Sequence, residues 1–181
     1  TQRFNVKLAA EVNIDLNAFF TSKELNKIDR FSTFAIIAAD EAIKMSELMK
    51  NNYNQNRIGV IIGSGIGGIG TLEKEHQKLL LNPRRVSPYF IPAMISDIAS
   101  GHISIKYGFK GPNFSIVSAC ATSNHSIGNA YNMIKNNESD IIVAGGAEAS
   151  ISPLSIAGFS NMKALSKQQD RNSACRPFDL K

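Results

Sequence analysis

The residue best suited to chemistry is Cys120, in the stretch Ser118-Ala-Cys-Ala-Thr-Ser123. It follows an apolar run at 114–117 and precedes a segment of helical character at 124–135. Backbone N–H groups in the first turn of a helix favour negative charge, and the thiolate is the nucleophilic form of cysteine. A free cysteine is also commonly a small, inert core residue. The local pattern alone therefore leaves both interpretations open.

A second segment, Gly63-Ser-Gly-Ile-Gly-Gly68, satisfies the G-x-G-x-x-G pattern of a dinucleotide-binding turn. It follows a predicted strand and opens a predicted helix, as such a site requires. The pattern also needs an acidic residue about 20 positions later, and residues 80–96 contain no Asp or Glu. We therefore interpret the segment as a tight turn that lets backbone approach a substrate channel, and not as a nicotinamide site.

Buried strands alternating with helices are predicted to position these two segments. Strands are predicted at 58–62, 112–119 and 140–144, and helices at 31–49, from the glycine segment to about 81, at 93–107 and at 124–136. Thr21-Ser-Lys-Glu24 has the form of a capping box that starts a short helix. The alternation predicts an α/β layer architecture with a largely parallel sheet.

Composition limits the class of protein. The chain has 181 residues, of which 43% are hydrophobic and 19% charged, as in a globular domain. No apolar run reaches about 18 residues, so no membrane span is expected. Two cysteines do not make a disulfide framework, and three histidines with two cysteines give no zinc pattern. A net charge of +5 suggests an acidic partner, either nucleic acid or an acidic carrier protein. The absence of interleaved aromatic and basic residues disfavours nucleic acid.

Six segments together resemble the β-ketoacyl-acyl carrier protein synthases of types I and II, the condensing enzymes of fatty-acid synthesis. They occur in the family's order at 61–68, 82–92, 111–123, 142–148, 164–166 and 176–179. The resemblance implies the thiolase-like layered fold (α/β/α/β/α in the full enzyme) and a homodimer. It also implies that residues 1–181 form one N-terminal ketoacyl synthase domain, truncated at both ends. The segments do not decide between types I and II.

The resemblance further implies that Cys120 accepts an acyl group from acyl carrier protein as a thioester. Its backbone N–H would be one of the hydrogen-bond donors to the oxyanion that forms in this reaction. Malonyl-carrier protein would then lose carbon dioxide, and the carbanion would lengthen the chain by two carbons. No cofactor or metal is implied.

The family's two catalytic histidines would lie beyond Lys181, so this chain alone is expected to be inactive. We therefore interpret His76, His102 and His125 as hydrogen-bonded structural residues. Cys175 is expected to be an ordinary buried or half-buried thiol.

Further residues take roles by resemblance. Ile66 would gate the acyl pocket, and Phe90 and Phe159 would line it. The residues that would dock acidic carrier protein are basic: Lys23, Lys27, Arg84, Arg85 and Lys163. Such contacts would steer encounter by complementary charge and weaken with salt.

Two alternatives to an elongating synthase stay open. One is a chain-length-factor-like relative in which the nucleophile is replaced, although the presence of Cys120 argues against it. The other is a non-catalytic module that binds carrier protein. Neither a membrane nor nucleic acid is expected as a partner. The expected location is the cytoplasm of a bacterium or, alternatively, the plastid stroma.

Overall fold

A parallel sheet organises the chain in the computed structural model, which describes residues 4–180. Its strands are β1 (Ile58–Gly63), β2 (Asn113–Phe114) and β3 (Ile141–Gly146), in the spatial order β2-β1-β3. Both neighbours of β1 run parallel to it. β1 is buried along its whole length, as expected for an apolar strand in the centre of such a sheet. The predicted α/β class with a parallel sheet is confirmed.

The helices surround this sheet. They are α1 (Ser22–Leu25), α2 (Arg30–Met45), α3 (Ile69–Leu81), α4 (Phe90–Met94), α5 (Ile98–Tyr107), α6 (Thr122–Lys135) and α7 (Pro153–Asn161). α1 begins with the predicted capping box between Thr21 and Glu24. Both α5 and α6 pack against β1, and α2 packs against α5. The fully buried side chains of Phe31, Val60 and Ile103 join α2, β1 and α5 in one apolar core.

The second strand is much shorter than predicted. Residues 112–119 were expected to form it, but only Asn113 and Phe114 pair with β1, and both are exposed. The ladder ends there because the N–H of Ile62 donates to Oγ of Ser100 on α5, at 2.8 Å. That hydroxyl also lies 3.1 Å from the carbonyl oxygen of Phe114. The chain thus leaves the sheet after Phe114, four residues before Ser118.

The helix predicted at 93–107 is two helices, α4 and α5. The break follows Met94, where Ile95 adopts an extended conformation. In a continuous helix the carbonyl of Met94 would accept from the N–H of Ile98. It instead accepts from the N–H of Gly68 at 2.9 Å. The contact with the glycine segment therefore replaces the helical hydrogen bond.

The described residues fall into two compact units. Residues 15–150 form one, which contains the sheet and α1–α6. Residues 4–14 and 151–180 form the other, which contains α7. No helix was predicted there from the sequence, although Ser152 caps α7 and Pro153 occupies its first position. None of the helices described is long and apolar enough to span a membrane.

Candidate active site

Cys120 lies in a short 3₁₀ turn, Ala119–Ala121, that leads directly into α6. We call residues 118–121 the nucleophile turn. Ala119 has a φ of 51°, in the left-handed region that non-glycine residues rarely adopt. The N–H of Ser118 donates to Oγ1 of Thr122 at 2.9 Å, which ties the turn to α6. Cys120 is exposed, so its thiol is accessible to solvent in a strained turn that is hydrogen-bonded to α6.

The glycine turn, residues 63–68, approaches the nucleophile turn closely. A Cβ on Gly63 would lie 2.3 Å from Cγ2 of Thr122, a distance that side chains do not tolerate. A Cβ on Gly65 would lie 3.6 Å from Cα of Ala119. Position 63 therefore has to be glycine, because the backbone at the end of β1 lies so close to the start of α6. This agrees with the interpretation of the segment as a tight turn.

Glu148, two residues after β3, is hydrogen-bonded to the glycine turn through both carboxylate oxygens. Oε2 accepts from the N–H groups of Gly65 at 2.8 Å and Ile66 at 3.2 Å. Oε1 accepts from the hydroxyl of Ser64 at 3.2 Å, and Oγ of Ser64 accepts from the N–H of Gly67 at 3.0 Å. Glu148 was not among the site residues predicted from the sequence. Its position after a predicted parallel strand could have indicated this contact. The carboxyl ends of parallel strands lie at one edge of the sheet, where the glycine turn also begins.

The three residues predicted for the acyl pocket lie on three different elements. Ile66 is exposed in the glycine turn, Phe90 is the half-buried first residue of α4, and Phe159 is exposed in α7. The hydrogen bond from Gly68 to Met94 places the end of α4 against the glycine turn. The elements that carry Ile66 and Phe90 are therefore in contact, whereas Phe159 belongs to the other compact unit.

The predicted carrier-docking residues are also divided between the two units. Residues 15–150 contain four of them: Lys23, Lys27, Arg84 and Arg85. Nζ of Lys27 lies 4.8 Å from the ring centroid of Tyr89, a cation–π contact. This contact joins the segment after α1 to the 82–92 loop, which carries both arginines. Lys163 is exposed after α7, in the other unit.

Buried Glu75 on α3 anchors the 82–92 loop. Its Oε2 accepts from the N–H of Ser87 at 2.7 Å, and its Oε1 accepts from Nζ of Lys78 at 2.6 Å. Burial raises the pKa of Glu75, but the hydrogen bonds from Lys78 and Ser87 and the charge of Lys78 outweigh it and hold the pKa below 4.5. The carboxylate is therefore ionised at neutral pH and fixes the loop.

The histidines differ in their surroundings. Nδ1 of His125 lies 2.7 Å from Oγ of Ser118, so this histidine is hydrogen-bonded, as predicted. The same prediction is wrong for His102, whose buried Nε2 finds no hydrogen-bond partner within residues 4–180. Burial lowers the pKa of His102, so its ring is held neutral. His76 is exposed on α3.

Cys175 is exposed, so the prediction of a buried or half-buried thiol is wrong. It lies after α7 in a segment that forms no helix or strand up to residue 180, and no element covers it there. Because both cysteines are exposed, exposure alone does not distinguish Cys120. Among the residues described, no group of three or more His, Cys, Asp or Glu side chains is placed to hold a metal ion.

The family assignment follows from comparison with known proteins. Residues 4–180 match the family profile described as the β-ketoacyl synthase N-terminal domain. The chain belongs to this family. The resemblance read from the six segments is thereby confirmed.

Two similar curated proteins of this family are bacterial. The 3-oxoacyl-[acyl-carrier-protein] synthase 2 of Staphylococcus aureus (strain N315) is 46% identical over 180 residues, covering 98% of this chain and 44% of the relative. The protein of the same name from Coxiella burnetii (strain RSA 493 / Nine Mile phase I) is 46% identical over 179 residues, covering 97% and 43%. The chain therefore spans less than half the length of these relatives.

Solved structures show the same fold. A β-ketoacyl synthase from Burkholderia phymatum STM815 superposes with a TM-score of 0.83 at 25% identity, covering 98% of this chain and 44% of that one. A ketosynthase in complex with its type II PKS acyl-carrier protein, bound to the hexaketide, gives a TM-score of 0.75 at 26% identity, covering 84% and 44%. These likenesses confirm the thiolase-like α/β fold.

Proposed function

We propose that this chain is part of a 3-oxoacyl-[acyl-carrier-protein] synthase of fatty-acid biosynthesis, in which Cys120 is the nucleophile. The observation that carries the proposal is the exposed thiol of Cys120 on a strained turn at the start of α6. The relatives that are 46% identical bear this name and favour type II over type I.

In the proposed first step, the sulfur of Cys120 attacks the thioester carbonyl of acyl-carrier protein. A bond forms between this sulfur and the acyl carbon, and the carrier thiol leaves with a proton. The negative oxygen of the tetrahedral intermediate needs hydrogen-bond donors, and the N–H of Cys120, at the helix start, is proposed as one of them.

In the second step, malonyl-carrier protein loses carbon dioxide and leaves a carbanion. The carbanion attacks the acyl-enzyme thioester, a carbon–carbon bond forms, and the sulfur of Cys120 is released. The product remains on the carrier and is two carbons longer. Covalent catalysis thus divides one difficult condensation into two transfers.

The acyl chain is proposed to pass Ile66 and to lie along Phe90, and the pocket role of Phe159 is proposed from the resemblance alone. The exposed position of Ile66 supports the gating role. A solvent-exposed isoleucine in a glycine turn has little core to join, and this turn approaches the nucleophile turn.

Acyl carrier protein is the proposed partner. The basic residues proposed to dock it within residues 15–150 are Lys23, Lys27, Arg84 and Arg85, and the docking role of Lys163 is proposed from the resemblance alone. The ketosynthase solved with its carrier protein supports this partnership. The contact of Lys27 with Tyr89 and the anchoring of the 82–92 loop by Glu75 support a fixed arrangement of the basic side chains in residues 15–150. We propose a homodimer on the basis of the family resemblance. We propose the bacterial cytoplasm as its location because both relatives named above are bacterial.

The test is selective acylation in the full-length protein. After incubation with acyl-carrier protein, peptide mass spectrometry is expected to find the acyl group on Cys120 and not on Cys175. Cys120→Ser should abolish acylation and condensation with malonyl-carrier protein, whereas Cys175→Ser, a matched control at an exposed thiol, should preserve both. Equal, slow labelling of both cysteines would contradict the proposal and favour a non-catalytic carrier-binding module.

A further inference from the structure

We propose that Glu148 is a positioning residue whose carboxylate fixes the glycine turn and thereby sets how readily long acyl chains reach Cys120. The inference rests on the proposed function, because it takes Cys120 as the nucleophile and Ile66 as the gate.

One carboxylate organises four consecutive residues of the glycine turn. The N–H groups of Gly65 and Ile66 donate to Oε2 of Glu148 directly. The N–H of Gly67 donates to Oγ of Ser64, whose hydroxyl donates to Oε1 of Glu148. The hydroxyl of Ser64 is buried, whereas the side chain of Glu148 is exposed to solvent. Hydrogen bonds to an ionised carboxylate are stronger than those between neutral groups, so their loss should release the turn.

The carboxylate is itself held in place by the sheet. β3 pairs with β1 up to Gly63 and Gly146, and the N–H of Ala147 donates to the carbonyl of Gly63 at 3.0 Å. Glu148 follows immediately. Its exposed side chain therefore extends from a fixed strand end to the glycine turn, in which Ser64 and Gly67 are buried.

Gly65 lies between the carboxylate and the nucleophile turn. A Cβ on Gly65 would be 2.8 Å from Oε2 of Glu148 and 3.6 Å from Cα of Ala119. Ile66 is the next residue, and its backbone N–H is bound to the same oxygen. Release of the carboxylate would therefore let Ile66 move in the part of the glycine turn that lies next to Ala119 of the nucleophile turn. Such a movement should change the rate of acylation by an acyl group long enough to contact Ile66, and should not change the rate for a shorter acyl group.

The experiment compares kcat/KM for acylation of Cys120 by long-chain and short-chain acyl-carrier proteins in the full-length protein. Glu148→Ala should raise the long-to-short ratio by about threefold or more, because a released Ile66 is displaced more easily. Glu148→Gln keeps an oxygen that accepts from Gly65 and Ile66 and should keep a ratio near that of the wild type. Glu138→Gln, an exposed acid after α6, is the matched control and should also leave the ratio unchanged.

A purely structural role predicts that Glu148→Ala slows acylation equally for all chain lengths. An unchanged or lowered ratio in that variant overturns the inference. If Glu148→Ala does not fold, as judged by circular dichroism, Glu148→Asp decides in its place. The shorter side chain keeps the charge but withdraws it from the turn, and the ratio should again rise. Absence of acylation on wild-type Cys120 would instead refute the proposed function, so the two failures are distinguishable.

Discussion

Gly63 at the end of β1 and Thr122 at the start of α6 lie so close that a Cβ on the glycine would stand 2.3 Å from Cγ2 of the threonine. The hydroxyl of the same threonine accepts a hydrogen bond from the N–H of Ser118. One side of Thr122 therefore fixes α6 against the sheet and the other fixes the nucleophile turn. The position of Cys120 depends on how closely β1 approaches α6.

We expect Gly63→Ala to displace the start of α6. The added methyl group overpacks a buried contact, so the free energy of unfolding should fall by about 1–3 kcal/mol. The rate of iodoacetamide reaction at Cys120 should fall relative to that at Cys175. Urea unfolding and peptide mass spectrometry measure the two effects in the full-length protein.

Gly128→Ala is the matched control within α6. Among the residues described, and apart from its chain neighbours and the adjacent backbone of α6, no atom lies within 4 Å of the Cβ that it would add. Alanine favours helix over glycine by up to about 1 kcal/mol, so stability should be unchanged or slightly increased. Equal behaviour of the two variants would show that the contact of Gly63 with α6 does not constrain the site.

The contribution of Glu75 to the free energy of unfolding, through the 82–92 loop that it anchors, is expected to depend on pH. Because the folded pKa of Glu75 lies below 4.5, its stabilising effect is fully present above that pH and is lost as the pH falls through the folded pKa. Glu75→Gln should therefore lower the free energy of unfolding by about 1.5–3 kcal/mol at neutral pH. The difference from the wild type should shrink on acidification below 4.5. Urea unfolding at a series of pH values measures this difference.

Lys78→Met is the control for this interpretation. It removes the ammonium that donates to Oε1 of Glu75 and should raise the pKa of the carboxyl group. The stability lost on acidification should then be smaller than in the wild type, because the folded pKa lies closer to its ordinary value. An equal loss in the variant and the wild type would mean that Lys78 does not determine the ionisation of Glu75.

The fold was predictable where one strand or helix is determined by its own residues. The apolar run at 58–62 predicted β1, and the Thr21–Glu24 pair predicted the start of α1. The errors occur where a distant residue takes a backbone hydrogen bond. The N–H of Ile62 donates to the hydroxyl of Ser100, and β2 ends there. The carbonyl of Met94 accepts from the N–H of Gly68, and the helix predicted at 93–107 is therefore interrupted. Local periodicity does not reveal such long-range hydrogen bonds.

The candidate site was predictable in part for the same reason. The residues around Cys120 predicted a cysteine at the start of a helix, and Cys120 lies in the turn that leads into α6. Glu148 was missed because its partners are backbone N–H groups 82 and 83 positions away in the chain. The pocket and docking roles came from the resemblance, and Phe159 and Lys163 fall in a different compact unit from the other residues assigned those roles.

Asp40 on α2 links that helix to α5 through two side chains. Its Oδ1 accepts from the hydroxyl of Tyr107 at 2.7 Å, and its Oδ2 pairs with Nζ of Lys106. Burial, the hydrogen bond to Asp40 and the negative charge of Asp40 together raise the pKa of Tyr107 to about 12. The neutral phenol therefore contributes to the packing of α2 against α5 at ordinary pH.

A raised folded pKa means that this contribution is fully present below about pH 10, the ordinary value for tyrosine, and is lost as the pH rises toward about 12. Phenolate absorbance should therefore show Tyr107 ionising near pH 12, and Tyr107→Phe should remove that late step. Asp40→Asn removes the charge but keeps an acceptor, so it should move the step to lower pH without restoring the ordinary value, because burial remains. A titration curve that Tyr107→Phe leaves unchanged above pH 10 would show that this hydrogen bond does not control the phenol.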